Sequence, residues 1–83
     1  MAGSKLSQFR EQAKEARLMI EQAGFGDVLI LSFIVEAGDR AEAAILARPS
    51  ILKAMDDESI LQCLVTASRA GSLLEHYGWR VRY

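Results

Sequence analysis

An all-α fold, a small bundle of three to five helices with a short extended C-terminal tail, is what the sequence predicts. Three observations point there. Apolar residues recur in alternating steps of three and four through the N-terminal and C-terminal thirds of the 83-residue chain. Residues that cap and stop helices bracket those stretches. Only the last five residues alternate with a period of two. Steps of three and four match the 3.6-residue turn of a helix, and alternation matches a strand.

The first helix is predicted over residues 6–23. Leu6, Phe9, Ala13, Ala16, Ile20 and Ala23 are spaced 3, 4, 3, 4, 3, the repeat of a helix packed on a neighbour. Ser4 supplies a cap and Gly24 a left-handed stop. Arg10, Lys14 and Arg17 border this seam, and Glu21 stands one turn beyond Arg17.

Residues 27–47 read as helix by the same spacing in Leu31, Ile34, Gly38, Ala41 and Ile45, with Asp27 as N-cap. Gly38-Asp39 also reads as a stop and a start, splitting the segment into two helices. The alternative is α+β, with a buried strand at 28–35 and another at 79–83. The 28–35 run is short, half β-branched and bounded by glycines, as a buried strand is.

Pro49 fits the first turn of a short helix through Met55. Asp56, Asp57 and Glu58 then place negative charge where the next helix dipole favours it. That helix is expected to run to about Tyr77, with Ile60, Leu64, Ala67, Gly71 and Leu74 as its seam, and Gly78 ends it. In the tail Trp79-Arg80-Val81-Arg82-Tyr83, the apolar residues fall on one side and both arginines on the other.

A chain of 9.2 kDa folds to a surface of about 4,900 Å², against about 13,000 Å² unfolded. That is one core and a single domain over residues 1–83. Apolar residues make up 51% and charged residues 25%, a globular composition rather than a disordered one. A net charge of −1 excludes a polycation that coats nucleic acid. The lone Cys63 has no partner for a disulfide within the chain, which points to a reducing, cytoplasmic location. The run Val28–Val35 spans about 12 Å as helix, far short of the ~30 Å hydrocarbon core, so no membrane span is expected.

The chemistry-bearing residues do not assemble into a catalytic set. Gly24-Phe25-Gly26 follows a helix rather than a strand, unlike a phosphate loop. Asp56-Asp57-Glu58 lacks the alternation of a cation loop. Cys63 and His76 lie about 20 Å apart along one helix, so they form no nucleophile–base pair. With one histidine and one cysteine in the chain, neither a zinc site nor any cofactor is expected. The expectation is a protein that is not an enzyme.

Tyr77, Trp79 and Tyr83 surround Arg80 and Arg82, a mixture enriched at protein interfaces. The expected function is a small protein–protein interaction module of inhibitor, adaptor or chaperone type, bacterial or phage-like. It would grip an unidentified protein through an apolar helix face and this tail. A homodimer is expected through residues 6–23 or 60–77, because a chain this small gains core from a second copy. The competing expectation is an oligomer that binds an anionic ligand, a nucleotide or nucleic acid, through Arg80, Arg82 and the Arg10, Lys14, Arg17 stripe.

Overall fold

In the computed structural model the described residues are 2–35 and 41–83, with side chains described from Ser7 to Phe33 and from Ala41 onward. The chain starts as predicted, with helix α1 (Ala2–Gln22). Phe9, Ala16 and Ile20 of the expected seam are buried, Ala13 is half-buried and Ala23 is exposed. Ser4 lies inside α1 rather than at its cap. The helix stops at Gly24, whose φ of 84° is left-handed. Phe25 N–H then donates back to the Ile20 carbonyl at 3.2 Å, and its ring packs against the cluster around Ile20.

Residues 27–47 overturn the all-α expectation. They form strands β1 (Leu29–Val35) and β2 (Ala41–Ala47), paired antiparallel from Leu29↔Ala47 to Val35↔Ala41. The fold is therefore α+β, with three helices and a three-stranded mixed sheet among the described residues rather than a helical bundle. The cause lies in the apolar density of 28–35. Wound as a helix at 100° per residue, these side chains would point all round the axis and no single neighbour could bury them. As a strand they sort onto two faces. The three-four spacing through β2 was coincidental, because its burial alternates: Ala41, Ala43 and Ile45 are buried, while Glu42 and Ala44 are half-exposed. The expected break at Gly38-Asp39 lies outside the described residues.

Helix α2 (Pro49–Leu52) is one turn, shorter than the expected run to Met55. Helix α3 (Asp57–His76) follows, capped by Asp56, whose carboxylate accepts from Ser59 N–H at 2.7 Å. It buries Cys63, Ala67, Ala70 and Leu74. Leu64, placed in the seam by its spacing, is 59% exposed instead. Gly78, with φ 92°, turns the chain, and Trp79 N–H donates to the Leu74 carbonyl at 2.9 Å. This bond and the left-handed glycine make the usual helix-ending motif.

Strand β3 (Arg80–Arg82) then pairs parallel to β2, with Glu42↔Arg80, Ala43↔Val81 and Ala44↔Arg82. Parallel pairing needs a long crossover, and α2 with α3 supplies it. The sheet order is β1-β2-β3. Helices α1 and α3 pack against one face of the sheet, over the inward residues Leu29, Ala43 and Ile45. One end of the core is aromatic. Trp79 meets Phe9 and Phe33 edge-on, at ring separations of 5.7 and 5.5 Å, in space left by Ala16, Ala41 and Ala43.

Candidate functional site: the open face of the sheet

The tail residues singled out by sequence are separated by the fold. Trp79 is only 3% exposed, and its indole N–H donates to Gln12 of α1 at 2.8 Å. Tyr77 donates its hydroxyl to Glu15 of α1 at 2.8 Å. That bond, reinforced by the Glu15 charge, holds the Tyr77 phenol above its ordinary pKa. Tyr83 turns toward the helices, where a Cβ at Gly71 would run into its hydroxyl. Burial against α3, and then the charge of Glu75, raise its pKa. Arg80 and Arg82 point the other way, to the sheet face that no described helix covers.

That face is built by register. Ile30 pairs with Leu46 and Ser32 with Ala44, while Ala44 pairs with Arg82 and Glu42 with Arg80. Alternation places all of these side chains on one side of the sheet. Ile30 is 39% and Leu46 51% exposed, so an apolar pair sits at one end of the face. At the other end Arg82 forms an ion pair with Glu42. The result is a shallow surface, apolar at one end and charged at the other. Arg80 and Arg82 stand out in the sequence, whereas Ile30, Glu42, Ala44 and Leu46 do not. These become neighbours only once the β1–β2 register is known.

The other candidate groups do not converge on this face. Arg10, Lys14 and Arg17 are exposed on α1, on the opposite side of the sheet from Arg80 and Arg82. The Arg17 guanidinium lies 5.3 Å from the centre of the Phe33 ring, a cation–π contact. The two basic groups therefore cannot grip one ligand within a single chain. A cleft of about 210 Å³ lies between Arg17, Ile20 and Glu21 of α1 and Leu29 and Leu31 of β1, below the ~300–1,000 Å³ of typical ligand pockets. Cys63 is buried, and burial pushes its thiol pKa up. His76 is exposed at the end of α3, its ring 5.8 Å from that of Tyr77. Among the described residues no three His, Cys, Asp or Glu side chains are grouped to hold a metal. Nor is any described helix long and apolar enough to cross a membrane.

Comparison with known proteins adds no relative: no family model, curated protein or solved structure matches the chain.

Proposed function

We propose that this protein is a non-enzymatic interaction module that docks a partner protein on the open face of its sheet. The observation that carries this reading is the split of the tail. Burial of Trp79 anchors β3, and the anchored strand presents Arg80 and Arg82 on the same face as exposed Ile30 and Leu46. Exposed apolar residues sharing a face with arginines are the mixture enriched at protein interfaces. A complementary partner would bring an apolar surface with a carboxylate placed for Arg80, since Glu42 already pairs with Arg82. The free Cys63 fits a reducing compartment such as the cytoplasm.

Site-specific photo-cross-linking in extract of the source cell tests the reading. A cross-linker at Leu46 should capture a defined partner, and one at Leu18, on the outer face of α1, should not. Arg80→Glu with Leu46→Asp should abolish capture through a cross-linker at Ser32 while leaving the circular dichroism unchanged. Equal capture from Leu18 and Leu46, or capture that survives the double variant, would remove the sheet face as the site.

A further inference from the structure

Helix α3 carries a ten-residue run without charge, from Ser59 to Ser68, between Glu58 and Arg69. The core uses one side of it, through Cys63 and Ala67. The other side is apolar as well: Leu61 and Leu64 are each 59% exposed and Val65 39%. At 100° per residue, Leu61, Leu64, Val65 and Ser68 fall within one arc of roughly 100°, opposite the buried line. Such an arc facing solvent is a packing surface without its neighbour.

We propose that its occupant is α3 of a second copy, packed antiparallel about a two-fold axis at the level of Cys63 and Leu64. Charge selects this arrangement. Glu58 and Arg69 are eleven residues apart, three turns plus about 20°, so they share a flank of the helix but lie roughly 16 Å apart. They are too distant to pair with each other, and neither makes an ion pair with another described residue. A two-fold axis midway between them sets Glu58 of each copy against Arg69 of the other, twice. That midpoint falls between Cys63 and Leu64, which is also the centre of the Leu61, Leu64, Val65 group. The apolar surface and the charges therefore require the same axis. Parallel pairing would put this flank on opposite sides of the interface in the two copies and leave Glu58 and Arg69 unpaired.

Area is consistent with this. The chain exposes 5819 Å², roughly 900 Å² more than a compact chain of its mass, so surface remains for a second copy to cover. The other surfaces fit a second copy less well. On the sheet face Arg82 is already neutralised by Glu42. Leu18 stands among the charged residues Glu11, Lys14, Glu15 and Glu21. The pairing leaves the sheet face free, so it holds or fails independently of docking there.

Sedimentation equilibrium of the full chain, from low micromolar to submillimolar concentration, tests the pairing. The expected result is a monomer–dimer equilibrium weakened by salt. Leu61→Glu with Leu64→Glu should leave a monomer whose circular dichroism is unchanged. Glu58→Arg alone and Arg69→Glu alone should each weaken the dimer roughly tenfold, and the two together should restore it. Thermal melts of dilute samples establish that each variant folds. A wild-type chain that stays monomeric throughout overturns the proposal. So does a dimer indifferent to the leucine variants, or one that the double charge swap fails to restore.

Discussion

At the scale of single residues, Trp79 carries more of the fold than any other tail residue. It fills the space over three small side chains, closes an aromatic trio and bonds Gln12. Trp79→Ala should cost about 3–5 kcal/mol, read as a fall in the urea midpoint. Gly71 is a gentler test. The nearest atoms a methyl group there meets belong to the end of the Tyr83 ring, a side chain 68% exposed and able to rotate outward. Because alanine favours helix over glycine by about 1 kcal/mol, Gly71→Ala should leave stability equal or slightly higher. A large loss would show that Tyr83 is fixed in place. Asp56 adds a pH dependence. Its bonds to Ser59 lower its pKa below the ordinary 3.8. Its contribution is therefore complete above that ordinary value and fades as pH falls through the folded-state value. Asp56→Ala should accordingly lower Tm at pH 7 and matter progressively less in acid, as thermal melts across pH would record.

At the scale of elements, both long helices end by the same device. A left-handed glycine is followed by an aromatic residue that bonds and packs back onto the last turn: Gly24 with Phe25, and Gly78 with Trp79. The second of these also aims β3 into the sheet, so strain at Gly78 should reach further than a frayed helix end. Gly78→Ala forces a Cβ into the left-handed region and should cost about 1–2 kcal/mol, together with faster hydrogen exchange of the β3 amides. Strand β2 tests packing against propensity. Its sequence, Ala-Glu-Ala-Ala-Ile-Leu-Ala, favours helix on composition, yet it forms the centre of the sheet. Its inward alanines leave the room that the aromatic cluster occupies. Ala43→Ile should raise strand propensity and still destabilise by about 1–3 kcal/mol, since a 1% exposed position has no space for three more carbons. Chemical denaturation gives the sign directly.

For the whole molecule, the helices cover one face of the sheet and leave the other to solvent. The shape is long, with extents of 48 × 19 × 18 Å, and α1 alone accounts for about 31 Å of that length. A chain this small and this extended hides less of its surface than a compact one, and pairing through α3 would recover part of the difference. If so, Tm should rise with protein concentration, and Leu61→Glu with Leu64→Glu should remove that rise. Cys63 reports on the integrity of the core. It is 1% exposed and its thiol is held protonated by burial. A thiol reagent should therefore label it only as fast as the core opens, with the rate climbing in parallel with urea unfolding.

Much of the local structure was legible in the chain. The turns at Gly24 and Gly78, the acidic start of α3 and the outward arginines of the tail follow from interactions within a few residues, and those act wherever the segment lies. The strands were harder to read. Ala41 and Ile45 satisfy a helical step of four as well as an alternation of two, and composition favours the helix. What settles them is pairing with β1 over the whole of Leu29–Val35, together with packing of the inward line of β1 under the helices, and neither is a local property. The same holds for the surfaces. Period-two alternation put Arg80 and Arg82 on one side, but Ile30 and Leu46 join them only through strand register. On α3 the spacing offered Leu64 to the core, whereas the sheet and α1 took the side carrying Cys63, Ala67 and Leu74. A helix with apolar residues on more than half its circumference does not specify which arc faces inward. The neighbours choose, and the arc they leave is where a second chain can bind.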